Sequence, residues 1–103
     1  MGVEGRESIT QRAHAMEQLK SELLDGIAAL VRGQLAGSDT VAREGAAQAC
    51  ASLYLIGSRL GLSYSEMDRW IVHYLRQLIA ERQESSWSKE LQELAQYLER
   101  HGV

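Results

Sequence analysis

Two short stretches hold the side chains with the clearest chemical potential: Glu22-Leu23-Leu24-Asp25, and the run from Glu44 through Gln48 to Arg59-Leu60-Gly61. Residues three or four apart on a helix are surface neighbours, so Glu22 with Asp25, and Glu44 with Gln48, each present their oxygens from one patch. Two such patches on crossing helices could hold a divalent cation against a nucleotide phosphate. The set is one carboxylate short, because the amide of Gln48 offers oxygen without charge and cannot act as a base. The competing reading places Glu22 and Asp25 on a solvated face with Lys20 and Arg32, the usual situation of charges on an amphipathic helix. Glu44 and Gln48 share a helix side with Ala51 and Leu55, which fits a partly covered position equally well.

The elements that must position these groups are all helical. Proline and phenylalanine are absent, and Ala, Leu, Glu, Gln and Arg recur, the side chains that lose least on entering a helix. A first helix begins near Ser8 or Thr10, either of which could cap it. Met16, Leu19, Leu23, Ile27, Leu30 and Val31 follow at helical spacing. Gly33 weakens its last turns, and Gly37-Ser38-Asp39 supplies a stop and a new cap. A second helix runs from about Thr40 to Leu60 and ends at Gly61, where a left-handed backbone is easily accommodated. One face of it combines Ala42, Ala46, Ala49, Cys50, Leu53, Ile56, Gly57 and Leu60, and its reverse carries Ala47, Ala51, Tyr54 and Leu55, so contact on two sides is expected.

Ser63-Tyr64-Ser65-Glu66 has the form of a capping box. Met67, Trp70, Ile71, Tyr74, Leu75, Leu78 and Ile79 then predict a third amphipathic helix ending near Arg82. After the polar break 83–86, Trp87, Leu91, Leu94 and Leu98 predict a shorter fourth helix. Four helices joined by short loops imply a bundle. Residues 1–7 read as a frayed, Gly-rich tail, and residues 8–103 as a single all-α domain.

Composition narrows the function classes. A chain of 103 residues with 45% hydrophobic and 24% charged residues has enough apolar material to fold as one small domain. A net charge of −3 argues against nucleic acid, whose recognition needs a surplus of Lys and Arg on one face. A single cysteine, Cys50, excludes an internal disulfide and a thiol pair for metal, which points to a reducing cytoplasm. The first residues lack an apolar signal core, and no window reaches the roughly 20 apolar residues of a membrane span. Well-spaced polar faces also argue against a helix bundle lying on a membrane.

Other residues invite chemistry but have ordinary readings. His14, His73 and His101 lack metal-ligand spacing. Cys50, on a face of small residues, reads as an inert core thiol. Trp70, Tyr74 and Trp87 could stack on a nucleobase, yet aromatic residues at helical spacing usually fill a core, and Tyr54 and Tyr64 are read the same way. Arg59, Arg69 and Arg76 could meet a triphosphate, although charges at helix ends are normally solvated. No phosphate-binding glycine loop is present.

The order of segments from about Met16 to Leu98 resembles the small bacterial MazG-like proteins of the all-α nucleoside triphosphate pyrophosphohydrolase superfamily. The resemblance rests on Glu17-Gln18-Leu19-Lys20-Ser21-Glu22-Leu23-Leu24, on Leu53-Tyr54-Leu55-Ile56-Gly57-Ser58-Arg59-Leu60-Gly61-Leu62-Ser63, and on Leu91 to Leu98. Its catalytic pattern is Glu-Glu-x-x-Glu followed by Glu-x-x-Asp on the next helix, all binding magnesium. Magnesium takes hard oxygen ligands at about 2.0–2.1 Å, polarises the α-phosphoryl group and acidifies the attacking water. Laid on this chain, the first cluster falls on Ser21, Glu22 and Asp25, with serine in place of the first acid. In the second, Glu44 stands one residue early and Gln48 takes the place of the Asp. The basic residue and Asn common on the third helix correspond to Tyr74-Leu75-Arg76-Gln77-Leu78, where Arg76 is an approximate substitute.

The resemblance thus implies an all-α, four-helix MazG-like bundle completed by oligomerisation as a homodimer or higher homo-oligomer. It implies Glu22, Asp25 and Glu44 as magnesium ligands, Gln48 and Arg76 as nucleotide contacts, and Asp68 as a remote candidate. The function it implies is binding of a nucleoside triphosphate, with hydrolysis to monophosphate and pyrophosphate weakened by the incomplete acidic set. The alternative is a non-catalytic oligomerisation or regulatory module derived from the same fold, since fold kinship does not by itself transmit function.

Overall fold

The computed structural model describes residues 8–81 and 86–101. The tail expected at residues 1–7 and most of the break before the fourth helix lie outside them. All regular structure among the described residues is helical: α1 (Ile9–Ala36), α2 (Asp39–Arg59), α3 (Tyr64–Glu81) and α4 (Ser88–His101). Contacts gather into two compact units, Met1–Leu60 and Gly61–Val103, where the sequence suggests one domain over 8–103. The first pairs α1 with α2 and the second pairs α3 with α4.

Local chemistry sets the helix ends. The Ser8 hydroxyl accepts from the Gln11 amide while the Gln11 side chain accepts from the Ser8 amide, a reciprocal box that satisfies two otherwise unpaired donors. Gly37 closes α1 at φ 72°, a left-handed conformation in which a Cβ is strained. Ser38 then caps α2 by accepting from the Val41 amide. The box expected at Ser63 and Glu66 forms in both directions, at 2.9 and 3.1 Å.

The first unit is held by closeness of backbones. Its buried residues are Gly26 and Gly33 on α1 and Gly45, Ser52 and Gly57 on α2. A Cβ added at Gly45 would lie 2.5 Å from the Leu30 nitrogen, and one at Gly33 would lie 2.5 Å from the Ala42 nitrogen. Antiparallel α1 and α2 therefore touch main chain to main chain, where dispersion and weak Cα–H···O contacts act over a short separation. Gly33, expected to weaken its helix, is part of what lets this contact form. The α2 contact face is also rotated from expectation: Gly45 and Ser52 are buried, whereas Cys50, Leu53 and Leu60 are exposed. Cys50 is thus a surface thiol and not a core one.

In the second unit Leu75 and Leu78 of α3 meet Leu91 and Ala95 of α4, flanked by Ile71, Ile79 and Leu98. Ala95 is completely buried, while Leu94, one position away, is exposed. Leu91 and Leu98 lie in or against this core as expected, and the small Ala95 takes the place expected for Leu94 between them. Trp70 and Tyr74, expected in the core, are about 60% exposed on α3, at 61% and 59%. Arg76 is tied to Glu99 across this pair by a 2.6 Å ion pair.

Candidate functional site

The antiparallel register of α1 on α2 decides which candidate residues meet. Glu22 and Gln48 do. Gln48 Nε2 donates to the Glu22 backbone carbonyl at 3.0 Å and to the Glu22 carboxylate oxygen Oε1 at 3.3 Å. A carbonyl can only accept, so the nitrogen end of the amide is the end that faces Glu22. The Gln48 backbone carbonyl accepts in turn from the buried Ser52 hydroxyl at 2.8 Å, one turn on. Gln48 is half-buried on this seam and Glu22 is exposed at its edge.

Asp25 and Glu44 stay exposed on their helices. Among the described residues no group of three or more His, Cys, Asp or Glu could hold a metal ion. The three acids expected to ligate magnesium, Glu22, Asp25 and Glu44, therefore do not gather into such a group within the chain. Opposite Glu22 stands Gln48, which presents a donor to it where an ion would need an acceptor. Arg76, expected to contact nucleotide, lies in the other unit and is engaged by Glu99. Asp68, the remote candidate, is half-buried on α3.

Beside the Glu22–Gln48 contact, α1 and α2 enclose an open groove of about 780 Å³. Its polar rim is Arg12, Gln18 and Glu22 from α1 with Ser58 and Arg59 from α2, and its apolar wall includes Met16, Leu19 and Leu55. The lining carries two guanidinium groups and one carboxylate. Planar guanidinium forks suit phosphate oxygens, and the apolar wall gives a flat group something to lie on. Arg12 was not singled out by the sequence, because only the hairpin register brings the start of α1 beside the end of α2. In the second unit, Glu66, Arg69, Trp70 and His73 line a shallower groove of about 320 Å³. The Trp70 and His73 rings meet edge to face there, 5.8 Å between centroids.

One carboxyl group is shifted. Glu66 is held below its ordinary value of 4.5, chiefly by the Ser63 backbone N–H and then by the Ser63 hydroxyl, with a smaller contribution from Arg69. These bonds stabilise the charged form at the start of α3, which is a capping function.

No helix among the described residues is long and apolar enough to cross a membrane. Neither a curated protein nor a solved structure matches the chain. The sequence profile of the MazG-like family does match, over residues 9–91, a span that runs from the first residue of α1 into α4 and so includes the groove and the Glu22–Gln48 seam. On that match the chain belongs to the MazG-like family.

Proposed function

We propose that this protein binds a nucleoside phosphate in the α1–α2 groove and that any pyrophosphohydrolase activity is strongly weakened. The observation that carries the reading is that Arg12 and Arg59 line the same partly apolar groove as Glu22. Two cations supply charge for a phosphate chain, and the groove volume lies within the usual range for small-molecule sites, roughly 300–1,000 Å³. Family membership supports a nucleotide as the occupant. The incomplete acidic set supports weak or absent hydrolysis, since little is left to polarise a phosphoryl group or generate a hydroxide.

Pyrophosphate release over a panel of canonical and modified triphosphates, with magnesium or manganese, tests the chemistry, and titration calorimetry tests the binding. The expected result is nucleotide binding that weakens when Arg12 and Arg59 are each replaced by alanine, with pyrophosphate release near background. Robust release that disappears in Glu22→Gln and Asp25→Asn would overturn the weakened-activity reading. No heat on adding nucleotide would overturn the binding reading.

A second reading has its own observation. Among the described residues the first unit buries glycines and Ser52 but no large apolar side chain, while Ile9 and Leu35 are 83% and 84% exposed. Such faces suit a helical interaction module that is completed by self-association as a homodimer or higher oligomer, working in the cytoplasm. The two readings are compatible, because a groove on one side of the hairpin leaves the outer side of α1 for a partner.

A further inference from the structure

We propose that Gln48 does the work of a cation at the α1–α2 seam, and that this single amide makes the seam independent of metal. Both hydrogens of Nε2 have an acceptor on Glu22, the backbone carbonyl at 3.0 Å and Oε1 at 3.3 Å. These are two hard oxygens converging on one point, the kind of pair a small divalent cation binds. The amide nitrogen fills that point and satisfies both without bringing a full charge. The buried Ser52 hydroxyl donates to the Gln48 carbonyl within the same helix.

The consequence is asymmetric. With a carboxylate at position 48, three oxygens would face one another: two from Glu22 and one from the new side chain. Without a cation they repel; with one, they form a partial ligand shell that waters can complete. Gln48→Glu is therefore expected to convert a metal-indifferent helix seam into one stabilised by divalent cations. The inference concerns metal alone and holds whether or not the groove takes a nucleotide.

The test uses manganese without nucleotide. For the native chain, the expected melting temperature is the same in manganese and in EDTA, with no calorimetric heat. For Gln48→Glu, a lower melting temperature in EDTA and a recovery of several degrees in manganese are expected. Adding Glu22→Gln to that variant should abolish the recovery. A manganese-induced rise in the native protein that is lost in Glu22→Gln would overturn the proposal, as would a folded Gln48→Glu variant indifferent to manganese. Should that variant fail to fold, amide NMR of the native chain decides. Selective paramagnetic broadening at Glu22 and Gln48 on adding manganese overturns the proposal, and its absence there supports it.

Discussion

Ser63 and Glu66 show how much one turn of sequence controls. The Glu66 carboxylate accepts from the Ser63 amide while the Ser63 hydroxyl accepts from the Glu66 amide, and the Ser63 backbone N–H, followed by the Ser63 hydroxyl, lowers the Glu66 pKa. A carboxyl group whose folded pKa is lowered contributes stability that is fully present above its unfolded value and is lost as pH falls through the folded value. Acid should therefore loosen the start of α3 as pH drops from about 4.5 toward the depressed pKa. Helicity followed against pH should fall more steeply for the native chain than for Glu66→Gln, which keeps an acceptor but has no proton to gain. Gln11 already serves this role in the Ser8 box, so a glutamine at position 66 should still support the cap. Equal slopes in the two proteins would remove Glu66 as the source of the acid sensitivity.

The α1–α2 hairpin reverses an ordinary expectation about glycine in helices. At an exposed helical site, Gly→Ala gains roughly 0.5–1 kcal/mol through backbone entropy. At Gly45 the added methyl would lie 2.5 Å from the Leu30 nitrogen and 2.6 Å from the Gly26 oxygen, both main-chain atoms that cannot step aside singly. The helices must separate, and overpacking of this kind costs about 1–3 kcal/mol. Gly45→Ala and Gly33→Ala should each lower the melting temperature, by about 4–8 °C for every kcal/mol lost in a chain of this size. An unchanged or raised melting temperature in both would show that the backbones do not touch. Gly37→Ala is a useful contrast. Nothing lies within 4 Å of its would-be Cβ, so its loss reflects only the left-handed φ of 72°, about 1–2 kcal/mol.

Over the molecule as a whole, the two units differ in what they bury. The α3–α4 pair has a small leucine core, whereas α1 carries Leu24, Ile27, Val31 and Leu35 as exposed side chains at steps of three, four and four. At 100° per residue this stripe runs along the side away from Gly26 and Gly33. A second chain covering it is the proposed arrangement, and sedimentation velocity should then show a concentration-dependent dimer or larger species. Leu24→Lys or Leu35→Lys should weaken that association roughly ten- to hundredfold, the equivalent of about 1.5–3 kcal/mol for one buried leucine. A native chain that remains monomeric throughout would count against the interaction-module reading and leave the groove proposal untouched.

What the sequence determined by itself was local. Ser8, Ser38, Ser63 and Gly37 announce the helix ends, and the three-to-four-residue recurrence of leucines and alanines announces the helices, because caps and periodicity act within about one turn of chain. The all-α class and the four segments followed from these, as did the kinship with the MazG-like family. The register of one helix on another was decided only by tertiary structure. Glycine adds nothing to an apolar stripe, so the contact of Gly26 and Gly33 with Gly45 and its neighbours was invisible until backbones could be seen to touch. The same register faces Gln48 to Glu22, turns Cys50 outward and brings Arg12 and Arg59 to the lining of one groove. Trp70 and Tyr74 followed helical spacing but not the packing line, which Leu75, Leu78 and the small Ala95 fixed instead. Spacing gives a residue's direction on its own helix, and only the neighbouring helix determines which direction becomes the inside.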